Sequence, residues 1–288
     1  MHSLLSSNVT QERLGLGCDR FGSVLGIDAP DAARLVDAAL QSGIRFFDTA
    51  NIYGQGESER ILSRALRDHG RQVTIVTKAG HYFPTWTRFA GPFKRALAPW
   101  MRRTEAGRSL VTAARQTTLP QNFSHSFLQS SAEASLRRLN RDHIDILLLH
   151  SPPASVIAKG DAMRSLEQIR KSGKAAKIGV SCNDVRCGLE ALKDARVEVI
   201  ELPLWPWTKL SDHFLKTAER QRVFVVARGL LSAALRSDGG DRRATVRAAL
   251  TSSLALSGIG RLIVGTTQIE HLREISEILQ GAKVPACT

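Results

Sequence analysis

Asp48, Tyr53, Lys78 and His150 are the side chains whose types and spacing can move a proton to or from an oxygen. A phenol titrates near 10 in water, too high for easy exchange at neutral pH, and a neighbouring ammonium favours its ionised form. Lys78 can supply that ammonium, and Asp48 can hold it charged and oriented. His150 can donate a hydrogen bond to a carbonyl oxygen or help Tyr53 deliver its proton. That combination suits carbonyl reduction. The hydride must come from a nicotinamide or a comparable cofactor, because no side chain provides one. Taken singly, each residue has a plainer reading: a structural ion pair for Asp48 and Lys78, a hydrogen-bonded histidine, a loop tyrosine. A different chemistry also stays open, in which Lys78 forms a Schiff base in a cofactor-free aldolase or isomerase.

The elements around these residues have a regular pattern. Short β-rich runs at 14–18, 44–50, 73–79, 144–150, 176–181, 197–202, 223–227 and 261–265 are each followed by a longer stretch of helical periodicity. The helical stretches are 30–41, 57–69, 126–139, 161–171, 185–194, 211–221, 243–256 and 269–279. Alternation of this kind specifies a parallel sheet with crossover helices, and about eight units favour a closed (β/α)8 TIM barrel over an open sheet. In such a barrel the strand C-termini converge on the reactive face. Asp48, Lys78 and His150 each end or nearly end an apolar run, which places them there, and Tyr53 follows in the loop after Asp48.

The 288 residues show no repeat and no low-complexity linker, so one domain over residues 1–288 is expected. An apolar fraction of 43% with 23% charged residues fits a globular protein, and no run approaches the length of a membrane span. The N-terminus has neither a basic start nor an apolar core of the secretory kind, which predicts a cytoplasmic protein. The scattered cysteines at 18, 182, 187 and 287 predict no disulfide and no metal site. The net charge of +13 is in part scattered, and a concentrated part of it lies at Arg88, Lys94, Arg95, Arg102, Arg103, Arg108 and Arg115, opposed there only by Glu105. These lie in a long connection, about 81–125, after the third strand. With no nucleic-acid module beside it, the plain reading is a solvated basic loop without a nucleic-acid or membrane partner. Its place at the reactive mouth also makes it a candidate lid. Trp86, Trp205 and Trp207 are candidates for substrate contact.

The run Gly43-Ile-Arg-Phe-Phe-Asp-Thr-Ala-Asn-Ile-Tyr-Gly-Gln-Gly-Glu-Ser-Glu59 resembles the aldo-keto reductase family. So do Val76-Thr-Lys-Ala79, Leu148-Leu-His-Ser-Pro152, Ile178-Gly-Val-Ser181 and the stretch from Ile263 to Glu274, in the family's order. The resemblance implies an NAD(P)H-dependent enzyme reducing an aldehyde or ketone, with Asp48, Tyr53, Lys78 and His150 as the tetrad and Tyr53 the general acid. It implies NADP(H), with NAD(H) as the alternative, across the barrel mouth, touching Ser181, Glu201, Arg228, Gly229, Leu231, Gly265, Thr266, Thr267, His271 and Glu274. Three departures stand out: Cys182 where Asn is usual, Glu201 where Gln is usual, and Arg228 where a stacking Tyr is frequent. At the adenosine end His271 replaces a frequent Arg and Ile275 a frequent Asn, so a strong cation for a 2′-phosphate is expected to be missing. A monomer acting on a small carbonyl substrate is the favoured picture. A cofactor-binding scaffold or sensor with weak turnover is the alternative.

Overall fold

The structure is a computed structural model that describes residues 12–84, 104–106, 119–204, 208–237 and 241–280. Its strands are β1 (Leu14–Gly17), β2 (Phe46–Asp48), β3 (Thr74–Ala79), β4 (Ile144–His150), β5 (Ala175–Ser181), β6 (Val199–Pro203), β7 (Phe224–Arg228) and β8 (Ile259–Gly265). All pair in parallel in chain order, and β8 returns to β1, closing the barrel. The expected TIM barrel is therefore the observed fold.

Alternation along the strands builds the interior in layers. Phe46, Val76, Leu148, Val199, Val226 and Ile263 form the apolar interior cluster. Two residues further along the same strands stand Asp48, Lys78, His150, Glu201, Arg228 and Gly265. A period of two puts each of these on the same face as its apolar predecessor, one layer nearer the C-terminal mouth. Glycine makes room among the large side chains: a Cβ on Gly15 would lie 2.6 Å from Ile263 Cδ1 and 2.8 Å from Phe46 Cδ1. At the opposite end Arg261 lies over the Phe46 and Phe224 rings, 5.7 Å from each centroid, and Lys177 lies 5.9 Å from that of Phe224. Cations over aromatic faces thus cover the base of the barrel.

The helices pack outside in the expected places. The helix Ala29–Gln41 begins at Asp28, whose side chain accepts from Asp31 N, and has Pro30 in its first turn. It buries Ala32, Leu35, Val36, Ala39 and Leu40, the spacing of one helical face.

Several bounds differ from the sequence reading. β2 is shorter than 44–50: Ile44 N bonds back to Ala39 O before it, and beyond Asp48 the backbone keeps single bonds to β3, from Thr49 N to Val76 O and from Asn51 N to Lys78 O, without continuing the strand. The second helix stops at Ala65 and gives way to a 3-10 segment, Arg67–Gln72. The helices Ala154–Lys159 and Leu230–Ser237 were not anticipated: they are short and each adds to the crossover helix that follows. Of the basic connection, the ends are described. His81 and Gln121 form an antiparallel bridge, Tyr82 N bonds Pro120 O and Asn122 N bonds Gly80 O, so the chain leaves and returns at the top of β3. Its basic residues, and Trp86, Trp205 and Trp207, lie outside the described residues.

Candidate active site

Tyr53 stands at the mouth at the start of a turn in which three consecutive residues have left-handed backbone, Gly54 (φ 56°), Gln55 (φ 59°) and Gly56 (φ 87°). A Cβ on Gly54 would lie 2.7 Å from Phe21 O, so both the conformation and the space require glycine there. Buried polar bonds fix this turn from behind. Ser58 Oγ donates to Cys18 O at 2.9 Å and lies 2.7 Å from Thr49 Oγ1, while Thr77 Oγ1 donates to Glu59 Oε1 at 2.6 Å. Glu59 is also paired with Arg138. The Ser58 and Glu59 that end the quoted motif are therefore anchors, and the motif's reactive part is Asp48 and Tyr53.

Behind Tyr53 lies a chain of alternating charges. Lys78 Nζ donates to Asp48 and to Thr49 O, the latter at 3.0 Å, and stands 3.3 Å from Glu201 Oε2. Glu201 Oε1 accepts from Ser181 Oγ at 3.1 Å and pairs with Arg228 Nε at 3.2 Å. Arg228 also donates through Nη2 to Cys182 O at 2.8 Å. Lys78 and Glu201 are each 1% exposed, so these are desolvated ions whose partners decide whether they are tolerated. Strand register brings them level: His150 pairs with Ser181 and Ser181 with Glu201 across β4, β5 and β6.

Proton affinities follow from this packing. Burial works against the Lys78 ammonium, but Asp48 and Glu201 outweigh it and hold it above the ordinary lysine value. Burial and the Glu201 carboxylate push Asp48 up to about 8, against the pull of Lys78. The Tyr53 phenol also moves up: burial contributes most, and the lowering effect of Lys78 is opposed by Asp48 and Glu201. Lys78 acts in the expected direction, but burial and the two carboxyl groups outweigh it. Two carboxylates share one ammonium, and the second was not foreseen as its partner.

His150 stands edge-on to both Tyr53 and His81, with ring centroids 5.9 Å and 4.9 Å away. Burial, then Lys78, His81 and Arg228, hold it well below the ordinary histidine value, and its buried Nδ1 has no hydrogen-bond partner among the described residues. His81 is lowered by burial too. Its Nδ1 is 3.3 Å from Leu119 O and its Nε2 3.0 Å from Gln121 Nε2, which fits a neutral ring donating from Nδ1 and accepting at Nε2.

A cavity of about 640 Å³ opens in front of these residues. Asp48, Tyr53 and Arg228 line its inner end, Gly229 and Leu231 its wall, and Gly265, Thr266, Thr267 and His271 its outer end. Lys78, Ser181, Glu201 and His150 are not among the lining residues; the first three are buried behind it. The Glu274 carboxylate is paired with Arg242, and Arg242 lines the cavity. Arg20 and Arg236 line it as well. Besides Arg228, three arginines thus reach the cavity from segments that local sequence does not connect to the last helix. The cavity's size falls in the usual range for cofactor sites. A Cβ on Gly229 or Gly265 would meet nothing within 4 Å, which leaves space where an extended ligand would pass. Thr266 Oγ1 accepts from Gln268 N at 3.1 Å, shaping the entry to the helix Ile269–Gln280, whose free amides suit a phosphate. These residues fit a dinucleotide.

The model of the Aldo/keto reductase family matches residues 13–284. The chain belongs to that family. It is 34% identical over 158 residues to aldo-keto reductase AMT2 of Alternaria alternata, covering 54% of this chain and 41% of that protein. It is 25% identical over 216 residues to pyridoxal 4-dehydrogenase of Microbacterium luteolum, covering 67% and 58% respectively. The chain therefore spans about half the length of these curated relatives. Among solved structures, an aldo-keto reductase from Pseudomonas aeruginosa superposes with a TM-score of 0.72 at 22% identity, over 93% of this chain and 89% of that one. The holo form of an aldo-keto reductase from Bacillus halodurans gives 0.72 at 20% identity, over 94% and 87%.

Proposed function

We propose that this protein reduces an aldehyde or ketone to an alcohol, taking hydride from NADPH or NADH and the proton from Tyr53. The observation that carries this reading is the placement of Tyr53 at the inner end of a dinucleotide-sized cavity, with the Lys78 ammonium 5.3 Å from its ring centroid and His150 at its edge. A bound nicotinamide supplies the hydride. The protein's residues do the rest. Held neutral by burial, the His150 ring can polarise a carbonyl oxygen by donating the one N–H it carries. Tyr53 gives its proton to the alkoxide as that charge develops, and Lys78 stabilises the phenolate left behind.

The raised proton affinity of Tyr53 keeps the phenol protonated at neutral pH, the form that reduction needs at the outset. An alkoxide is far more basic than a phenolate, so donation to it remains favourable. The same electrostatics weigh against the Schiff-base alternative, because a Lys78 held protonated between Glu201 and Asp48 has no free pair for attack. Arg242 and Arg236, with His271, are the groups suited to a 2′-phosphate, which favours NADPH. One relative is named as acting on pyridoxal and others as an aldose dehydrogenase and a dehydroglucose reductase, so polar aldehydes belong in the substrate panel.

The test is oxidation of NADPH and NADH against aldehydes, ketones and quinones, with Tyr53→Phe as control. Loss of a positioned acid should lower turnover at least about 100-fold while cofactor affinity is kept. A fully active Tyr53→Phe protein overturns the mechanism.

A further inference from the structure

Glu201 makes contacts that neither side of the site can make alone. It is 1% exposed, its Oε2 faces Lys78 Nζ at 3.3 Å, and its Oε1 binds Arg228 Nε at 3.2 Å and Ser181 Oγ at 3.1 Å. Lys78 belongs to the group around the reactive phenol, and Arg228 lines the cavity. We propose that Glu201 is a positioning residue that joins the Lys78 ammonium to the Arg228 guanidinium through one carboxylate, so that the proton-donating and ligand-holding halves of the site act as one unit. The cavity's assignment to a nicotinamide cofactor rests on the function proposed above; the Glu201 contacts do not.

The physical case rests on what an amide cannot do. Glutamine has the same shape and can still accept from Ser181, yet it carries no charge to share between two cations. Without Glu201, Lys78 has one carboxylate partner, Asp48, and its field acts on Tyr53 with less opposition. Among the described residues Arg228 keeps its bond to Cys182 O, and its guanidinium loses the partner that fixes its plane. Glu201 Oε2 faces Lys78 at ion-pair distance, and the Glu201 carboxylate also raises the proton affinity of the neighbouring Asp48 carboxyl, so its role there is electrostatic. Facing this group are Asp48 and Lys78 from β2 and β3, Arg228 from β7 and, beyond them, Tyr53. Each has a place in the coupling.

The chain contains two tyrosines, Tyr53 and Tyr82, so in a Tyr82→Phe background phenolate absorbance reports Tyr53 alone. At about pH 10 the parent should show almost no phenolate, and Glu201→Gln at least about tenfold more, the ratio expected when the phenol ionises about one pH unit lower. Glu201→Asp, which keeps the charge, should return the signal toward the parent, an outcome that a purely space-filling role would not produce. Circular dichroism checks the fold of each variant. In parallel, the dissociation constant of NADPH is measured by tryptophan fluorescence for Glu201→Gln, Arg228→Gln and the double variant. Coupling through one carboxylate predicts that each single change weakens binding and that the double is no worse than the worse single. An unchanged phenolate signal in Glu201→Gln, or strictly additive losses in the cycle, overturns the proposal. If NADPH binds none of the proteins, the cofactor reading fails while the tyrosine titration still decides the link between Glu201 and Lys78.

Discussion

The two ends of the cavity handle charge in opposite ways. At the inner end Asp48, Lys78 and Glu201 are almost fully buried, and each finds its partner within the interior of the barrel. At the outer end Arg242 is paired with Glu274 but keeps a side chain that is 45% exposed, and His271 sits near Thr266 at 3.2 Å. Burial makes the inner charges strongly interdependent, since each ion lacks water to replace a lost partner. Solvent makes the outer charges nearly independent and sensitive to salt. Changes at the inner end should therefore alter chemistry and stability together, and changes at the outer end should alter affinity alone.

The largest effect should follow removal of the Lys78 ammonium. Lys78→Met has a similar length but leaves Asp48 and Glu201 facing each other without a cation between them. Turnover should fall by about two orders of magnitude or more, and unfolding in urea should show a loss of about 3–5 kcal/mol, the scale for breaking a buried pair. A variant that is inactive yet as stable as the parent would contradict the interdependence claimed for the inner end.

A smaller effect is expected from Arg242→Gln. NADPH affinity should weaken about tenfold at low salt, in the range of one charge-assisted contact, with NADH affinity nearly unchanged. The difference should shrink as ionic strength rises. Equal affinities in variant and parent for both cofactors would move the 2′-phosphate to Arg236 or His271.

The same contrast explains what could be read from the chain. Asp48, Lys78 and His150 stand in step with the apolar interior residues of their strands, and a period of two is visible locally. Barrel closure then followed from the count of strand and helix units. Glu201 was legible as a position near the cofactor, but its bond to Lys78 crosses from β6 to β3 and depends on side-chain reach that no pattern encodes. Arg242 was missed for a related reason: it opens a helix and meets Glu274 from 32 residues away, with nothing in its own neighbourhood to mark it. The helix Leu230–Ser237 was missed because it is short and directly follows Gly229, whose positive φ of 74° reads as a turn. The upward shift of Tyr53 escaped the sequence because it depends on burial and on a second carboxylate, both products of tertiary packing.

The smallest effect concerns pH, and two inner groups oppose each other in it. His150 is held below the ordinary histidine value by burial, then by Lys78, His81 and Arg228, so the unfolded chain takes up its proton before the folded one does. Its contribution to stability is complete above about pH 6.5 and is lost as pH falls from there toward the folded value. Asp48 runs the other way. Its folded value near 8 lies above that of the unfolded carboxyl, so its contribution is complete below the ordinary carboxylate range and is lost as pH rises toward 8. The net slope of the parent protein is thus a difference of two contributions, and variants must separate them. Between pH 7 and pH 5.5, His150→Gln should lose less stability than the parent, by about 1 kcal/mol, because titrating one group across one pH unit changes stability by about 1.4 kcal/mol at most. Asp48→Asn should lose more than the parent over the same interval, since it lacks the carboxyl whose protonation favours the folded state. Urea unfolding at the two pH values for all three proteins gives the comparison. Parallel slopes would mean that the buried groups titrate alike in the folded and unfolded chains, contrary to the desolvation that the inner end imposes.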